Sequence, residues 1–391
     1  MSQERSSRET RKVFQTPIDR FTVEFLRKVC ENDNKNILVS PIGITVLYTI
    51  ILEGARGKTA EQLMQVFHLK PQFENVEDVR IELEKVIKRL NQKDEGLILK
   101  MTNKVVMSEK FQLKPSFQKI VEENYSASID QEDISKADVV TKKLNEWVSQ
   151  ETNNLIPQLF DEPLKPDDIL VLINVLHFKG FWQVPFTEAK TSDGIFNNLD
   201  GTKSTVKMMC SSKPKYPSSN REDENLRIIK LPYIGTIAMF IIMPTGVDGL
   251  RELMLNLTAE KIENYLSNNW LAHFPSVRIP KFRLENTHDL RVILPSIGLN
   301  LPFSNSAEFT GISDDPLEIS ESIQRTFINV DEKGSEAVAA ATTRMRIGCM
   351  RRMQMDSFVL DRPFMFFLRD RETRVNLFVG VVKKLPDEKS E

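Results

Sequence analysis

The sequence lacks the long apolar runs and the cysteine pairs that would mark a membrane protein or a disulfide-stabilised one. No stretch of about eighteen apolar residues occurs in the chain, so we expect no membrane-spanning helix and no membrane partner. Its three cysteines, Cys30, Cys210 and Cys349, are too few for a disulfide framework. Their odd number leaves at least one thiol unpaired within the chain.

The motifs of an enzyme or a metal site are missing as well. None of the four histidines lies in an H-E-x-x-H spacing, and neither a C-x-x-C pair nor a G-x-S-x-G turn occurs. The segment Gly57-Lys58-Thr59 matches the last three residues of the phosphate-binding loop motif. That motif also needs a glycine where this chain has Leu52. We therefore expect a protein that is not an enzyme and that requires no metal or cofactor.

An excess of charge of one sign is also absent. Lysine and arginine total 53, aspartate and glutamate total 55, and the formal net charge is −2. This balance excludes a global basic field for nucleic acid, so any polyanion site must be a local patch.

Two features of the sequence bear on the cellular compartment of the protein. The polar start of the chain, residues 1–11, has no apolar core of a signal peptide. Two N-glycosylation acceptor motifs, at Asn124 and Asn256, would be useful to a secreted protein. We favour a secreted protein whose signal has been removed, with a cytoplasmic protein as the alternative.

The spacing of apolar residues predicts helices mainly in the first half of the chain and strands mainly in the second. Ser40 and Pro41 have the pattern of an N-cap with a first-turn proline, and Thr59 with Gln62 has capping-box spacing. Because helices and strands are segregated rather than alternating, we expect an α+β fold in one domain. Helices are predicted at 18–29, 40–54, from 59 onward, 75–92 and 136–150, and strands at 169–176, 237–243, 364–368 and 375–382.

Six sequence blocks, in the same order, resemble the serpin family. The resemblance covers roughly 17–386, and it implies one domain between a flexible tail at 1–16 and a short tail at 387–391. It also implies the α+β serpin fold, with three β-sheets, about nine helices and an exposed reactive-centre loop at about 334–357. The six blocks are 36–44 (NILVSPIGI), 54–62 (GARGKTAEQ), 174–182 (NVLHFKGFW), 332–337 (EKGSEA), 361–370 (DRPFMFFLRD) and 377–382 (LFVGVV).

The resemblance implies a monomeric inhibitor that is consumed in one reaction with its partner, a serine protease. The protease attacks the exposed loop and forms an acyl-enzyme. The freed loop then inserts into the main sheet as a new central strand and carries the trapped protease with it. The alternative is a non-inhibitory serpin, a carrier or chaperone that keeps the fold and has lost this transition.

The loop sequence is compatible with such an insertion. From Ser335 to Ile347, one face of an extended strand carries only small or apolar side chains, and every charge falls on the other face. The small face can enter a core without overpacking it or burying a charge, although an alanine-rich stretch could also form an ordinary helix. The hinge residues are assigned as Glu332, Gly334, Ser335, Ala337, Ala339 and Ala341.

The resemblance further implies a polar cluster, called the shutter, under the centre of the main sheet. The chain departs from the family there, because Gly43 replaces a serine and Gln324 replaces a histidine, although glutamine can still donate and accept hydrogen bonds. Lys281 matches a family lysine that pairs with the hinge glutamate, here Glu332. The residues assigned to the shutter and the top of the sheet are Ser40, Asn174, Trp182, Lys281 and Gln324.

Family spacing and loop chemistry favour different cleavage sites. Family spacing counted from Glu332 places the scissile bond at Gly348-Cys349. The arginines of the loop, however, would suit a trypsin-like protease, and no acidic residue lies between Glu336 and Asp356. Cleavage after Arg351 or after Arg346 is the alternative.

A basic helix is the second candidate site. Three of its cations share one face at spacings of three and four, and a fourth continues that face. The segment lies where antithrombin-like serpins bind heparin, so the resemblance implies heparin or a similar sulfated glycosaminoglycan as an optional activator. Interleaved glutamates favour an ordinary solvated helix instead. The candidate residues are Lys85, Lys88, Arg89 and Lys93.

Overall fold

The structure, a computed structural model, describes residues 14–30, 35–91, 97–211, 216–267, 272–274, 276–335 and 357–387. Within these segments the chain forms nine α-helices and three β-sheets, as expected for the α+β fold. The helices are α1 (Gln15–Cys30), α2 (Pro41–Gly54), α3 (Gly57–Val66), α4 (Val76–Leu90), α5 (Pro115–Tyr125), α6 (Ala137–Glu151), α7 (Gly249–Leu255), α8 (Ala259–Leu266) and α9 (Leu290–Ser296).

The strands are concentrated in the second half of the chain. They are β1 (Ile37–Val39), β2 (Leu97–Ser108), β3 (Ser128–Glu132), β4 (Leu170–Phe181), β5 (Ser192–Asn197), β6 (Lys203–Ser211), β7 (Tyr216–Arg221), β8 (Leu226–Pro232), β9 (Ile237–Pro244), β10 (Ala272–Phe274), β11 (Val277–Pro280), β12 (Phe282–Asp289), β13 (Ile319–Val330), β14 (Gly334–Ser335), β15 (Phe358–Val359), β16 (Phe364–Asp370) and β17 (Asn376–Val382).

Three sheets are built from these strands. The main sheet has the order β12-β13-β4-β2-β3, with β14 paired to β4. The second sheet has the order β1-β17-β16-β9-β8-β7-β10, and the third has the order β15-β11-β6-β5. In the main sheet β13 runs parallel to β4, whereas β2 and β12 run antiparallel to their neighbours β4 and β13.

Helix α2 begins as the sequence predicts. Ser40 is its N-cap, with Oγ accepting a hydrogen bond from Gly43 N at 3.1 Å, and Pro41 occupies the first turn. Every residue of α2 is buried, because the helix lies between the main sheet, at β2 and β4, and β17 of the second sheet.

The predicted capping box at Thr59 is wrong. Helix α3 already begins at Gly57, so both residues of the proposed box lie inside the helix. Thr59 Oγ1 accepts a hydrogen bond from Glu308 N at 2.9 Å, and Gln62 Oε1 accepts one from Leu301 N at 2.7 Å. Both side chains therefore bind a distant segment rather than their own helix terminus.

The main sheet is covered on both faces. Helix α6 lies on its outer face, where Leu144 and Val148 pack with Val171 and Ile173 of β4. The alternate residues of β4, such as Leu172, belong to the larger core around α2. This two-sided burial explains why β4 is almost continuously apolar. Among the described residues, no helix is both long enough and apolar enough to cross a membrane.

Candidate functional site

The segment that follows β13 turns back and enters the main sheet. Gly334 pairs with Phe181 and Ser335 pairs with Gly180, both antiparallel to β4. The other edge of β4 at Gly180 is already taken by Leu97 of β2, so β14 lies on the edge that faces β13. The hinge thus occupies the top of the boundary between two parallel strands.

Gly334 is required at this turn. Its φ is +149°, and a Cβ on this residue would lie 1.9 Å from Gly180 O. Asp331 shapes the turn, because its Oδ1 accepts hydrogen bonds from Lys333 N at 2.8 Å and from Gly334 N at 3.1 Å. Sequence reasoning missed Asp331, although an aspartate at the start of a turn that ends in glycine is a usable signal.

Glu332 is held by three groups beside the turn. Its carboxylate accepts hydrogen bonds from Thr191 Oγ1 at 2.7 Å and from Lys281 Nζ at 3.1 Å, and its main-chain oxygen accepts one from Phe186 N at 2.8 Å. Burial raises the pKa of Glu332, but the bonds from Thr191, the backbone and Lys281 outweigh it and hold that pKa below its ordinary value. The expected Lys281–Glu332 ion pair is present, and Thr191 joins it.

Trp182 supports the same turn from the end of β4. Its ring is 3% exposed and stacks on Tyr233 at a centroid distance of 4.1 Å. Its Nε1 donates to Asp331 O at 2.9 Å, and its backbone N donates to Lys333 O at 2.9 Å. Trp182 therefore fixes the position at which the hinge leaves β13.

A row of side-chain amides crosses the middle of the main sheet. Gln324 of β13 and Asn103 of β2 lie directly opposite Asn174 of β4, one on each side. Gln324 Nε2 donates to Asn174 Oδ1 at 2.7 Å, and Asn174 Nδ2 donates to Asn103 Oδ1 at 2.8 Å. All three are buried. We call these three residues the amide row; its first bond crosses the boundary between β4 and β13.

The amide row is attached to α2 through Ser40. Gln324 Oε1 accepts from Ser40 N at 2.9 Å, and Gln324 Nε2 donates to Ser40 O at 2.9 Å. Gly43 makes room for the row, because a Cβ at this position would lie 2.4 Å from Asn174 Oδ1. The two departures from the family pattern thus belong to one arrangement, in which the assigned residues Ser40, Asn174 and Gln324 do meet.

His288 continues the row onto the outermost strand. It lies opposite Gln324, is 5% exposed, and its Nε2 lies 2.8 Å from Leu38 O. A carbonyl only accepts, so Nε2 carries the proton. Burial lowers the pKa of His288, and the hydrogen bond with Leu38 opposes this only in part, which favours the neutral ring. Sequence reasoning did not identify this histidine.

The predicted basic face of α4 is divided in the structure. Lys85 pairs with Glu82 at 2.5 Å and Lys88 pairs with Glu84 at 2.6 Å, and both lysine side chains are more than half exposed. Arg89 is only 17% exposed. It is bound elsewhere, as its Nε lies 2.5 Å from Glu372 Oε2 and its Nη2 donates to Thr236 Oγ1 at 2.9 Å. Arg89 therefore anchors the end of α4 to two hairpins of the second sheet.

Several predicted site residues lie outside the described residues. They are Ala337, Ala339, Ala341, Arg346, Gly348, Cys349 and Arg351 of the loop, and Lys93 of the basic helix. Among the residues that the structure does describe, no group of three or more histidine, cysteine, aspartate or glutamate side chains could hold a metal ion.

The start of the segment that follows β13 therefore lies as a short strand beside β4, the central strand of the main sheet. The chain matches the family model described as serpin (serine protease inhibitor) over residues 16–385. It is 33% identical over 371 residues to the leukocyte elastase inhibitor of Xenopus laevis, covering 92% of this chain and 96% of the relative. The chain belongs to the serpin family.

Other relatives and solved structures agree with this assignment. Ipis-1 of Ixodes persulcatus is 31% identical over 355 residues, covering 90% of this chain and 92% of the relative. Serpin48 of the insect Tenebrio molitor superposes with a TM-score of 0.83 at 27% identity, covering 95% and 98% of the two chains. Human thyroxine-binding globulin, solved with thyroxine, has a TM-score of 0.86 at 23% identity, covering 97% and 100%, and this likeness shows the fold alone.

Proposed function

We propose that the protein is an inhibitory serpin that traps a serine protease as an acyl-enzyme. The observation that carries this proposal is the pairing of Gly334 and Ser335 with the edge of β4 that faces β13. The first two residues of the loop already follow the path that the rest would take after cleavage. A hinge excluded from the sheet would not provide this start.

The bond-breaking steps follow from acyl-transfer chemistry. The serine oxygen of the protease attacks the scissile carbonyl, and the serine proton passes to the leaving amine. An ester then joins the protease to the part of the loop that remains attached to β13. Insertion of that part between β4 and β13 moves the ester away before water can hydrolyse it.

The direction of the strands favours this insertion. Strands β4 and β13 are parallel over residues 170–177 and 319–327, and β14 runs antiparallel to β4. Extending β14 would replace one parallel pair by two antiparallel pairs, which are slightly more stable per residue. The bond between Gln324 and Asn174 must break in the process, so the amide row opposes premature opening.

A protease panel tests this function and its target together. We propose a trypsin-like target, and we include elastase because several relatives are named leukocyte elastase inhibitors. Inhibition should give a complex that survives detergent, and sequencing should identify the new N-terminus. Cysteine at this N-terminus indicates cleavage at Gly348-Cys349, whereas Arg352 or Ile347 indicates cleavage after Arg351 or Arg346. Turnover of the loop without a complex would support the carrier or chaperone alternative.

We also propose an optional glycosaminoglycan site, reduced in extent by the position of Arg89. Lys85 and Lys88 remain exposed, and Lys93 continues the segment, whereas Arg89 would have to leave Glu372 to reach a sulfate. Heparin binding should therefore be weak and should decrease with salt in a log–log plot, with a shallow slope. The Lys85→Ala/Lys88→Ala variant should bind less than the parent, and Arg89→Ala should change binding least. Unchanged binding by the double variant would place the site elsewhere.

The protein is proposed to act as a monomer without a required cofactor. Secretion stays a prediction, with a cytoplasmic location as its alternative. Fractionation of the native source, with detection of the full chain outside and inside cells, distinguishes the two.

A further inference from the structure

The two N-glycosylation acceptor motifs lie in very different surroundings. Asn256 follows α7 and is exposed at the corner between α7 and α8. Asn124 lies in the last turn of α5 and is half-buried. An N-linked sugar is bulky and hydrophilic, so the folded protein can carry it only where the acceptor side chain reaches solvent.

The corner at Asn256 is fixed by buried and hydrogen-bonded neighbours, and Asn256 itself is exposed. Leu257 is 2% exposed, and its main-chain oxygen accepts a hydrogen bond from Arg27 Nη2 at 3.0 Å. Thr258 is the N-cap of α8, with its Oγ1 accepting from Lys261 N at 3.2 Å. The backbone N of Asn256 donates to Glu252 O at 3.0 Å. The corner is therefore fixed by its backbone and its neighbours rather than by the Asn256 carboxamide.

The motif at Asn124 is part of a helix–helix contact instead. The Asn124 side chain lies beside Glu84 of α4 and helps to lower the pKa of that carboxylate, which also binds Lys88 at 2.6 Å. The next residue, Tyr125, is 1% exposed and donates to Glu53 Oε1 at 2.6 Å. A sugar on the half-buried Asn124 would have to displace Glu84 and separate the neighbouring turns of α4 and α5.

We propose that Asn256 is the N-glycosylation site of the folded protein and that Asn124 stays unmodified in it. In the reaction, Asn256 Nδ2 forms a bond to the anomeric carbon of a sugar that is carried on a lipid pyrophosphate. The bond from that carbon to the pyrophosphate oxygen breaks, Nδ2 gives up one proton, and the lipid pyrophosphate leaves. No oxidation or reduction is involved. The proposal rests on the secretion part of the proposed function, and it is independent of protease inhibition.

In the test, an added secretion signal exports the protein, so the result depends only on which asparagine can carry a glycan. The full chain is fused to a secretion signal, produced in a glycosylating eukaryotic host, and analysed by mass before and after enzymatic removal of N-linked sugars. The secreted parent should carry one glycan. Asn256→Gln should carry none, and the matched control Asn124→Gln should keep one.

Thr258 requires a different substitution, because it also caps α8. Thr258→Ser preserves both the acceptor motif and a hydroxyl for the cap, so this variant should keep the glycan. Removal of the glycan from the parent should leave the melting temperature nearly unchanged, since the Asn256 side chain is exposed. A secreted parent without a glycan, or with a glycan on Asn124, would overturn the proposal. Failure to form a protease complex would count against the proposed inhibition only.

Discussion

Gln324 and Asn174 are joined by a 2.7 Å hydrogen bond across the boundary between β13 and β4. Both side chains are completely buried, and Gln324 also binds the backbone N and O of Ser40. One side chain thus links the helix beneath the sheet to the two strands that would separate in the proposed insertion.

Gln324→Leu should loosen the main sheet. It leaves Asn174 Oδ1 and two backbone groups of Ser40 without these partners, and each unsatisfied buried group costs about 1–3 kcal/mol. We expect a lower melting temperature and a faster spontaneous loss of inhibitory activity at 37 °C. Asn329→Ala, on the same strand but half-buried, is the control and should have a small effect. Equal inactivation rates for the two variants would contradict a special role of the amide row.

Gly43 and Asn174 should be energetically coupled. Gly43→Ala places a Cβ 2.4 Å from Asn174 Oδ1 and should destabilise the protein by about 1–3 kcal/mol through overpacking. In the Asn174→Ala background this contact is gone, so the same substitution should cost much less. Denaturant unfolding of the parent, both single variants and the double variant measures the coupling. Additive free energies of unfolding would show that Gly43 is not required by Asn174.

The two faces of the loop should respond differently to charge. If the pairing of Ser335 with Gly180 continues along β4, position 341 comes to lie opposite Asn174, on the inner face. Ala341→Arg would then bury an unpaired charge, at several kcal/mol, and convert the inhibitor into a substrate. Ala340→Arg, on the outer face, should be tolerated. The number of inhibitor molecules consumed per protease measures both; similar values would contradict strand insertion.

His288 should make stability depend on pH in mildly acidic solution. Burial lowers its pKa in the folded protein, whereas the unfolded chain has the ordinary value near 6.5. Below that value the unfolded chain binds a proton that the folded protein does not, so the free energy of unfolding decreases as pH falls from about 6.5 towards the folded pKa. His288→Gln should flatten this part of the melting-temperature profile. An unchanged slope between pH 7 and 5 would assign the dependence to other groups.

Local signals in the sequence predicted local structure well. The Ser40-Pro41 pattern predicted the start of α2, and the apolar run at 169–176 predicted the first half of β4, which extends to Phe181. Thr59 was misread because its partner, Glu308 N, lies 249 residues away. A hydroxyl has the same local sequence context whether it caps its own helix or binds a distant loop.

In the candidate site, too, the residues that sequence patterns missed or misplaced are those whose partners are distant in the sequence. The motifs identified Asn174 and Gln324, but Asn103 was missed because only strand register brings it beside Asn174, 71 residues along the chain. Arg89 was grouped with Lys85 and Lys88 by helical spacing, yet Glu372 and Thr236 hold it against the second sheet. Spacing gives the face of a helix, whereas tertiary packing decides which side chains on it reach solvent.

The position of β14 beside β4 also bears on whether the inhibitor could be recovered after it has reacted with a protease. A loop inserted along the path that Gly334 and Ser335 begin would be hydrogen-bonded on both edges, and withdrawal would require breaking both ladders together. Each molecule would then act once. Residual protease activity should fall linearly with added inhibitor and end at a sharp equivalence point, as in a stoichiometric titration. The amount of protein present, rather than a dissociation constant, would set how much protease is silenced.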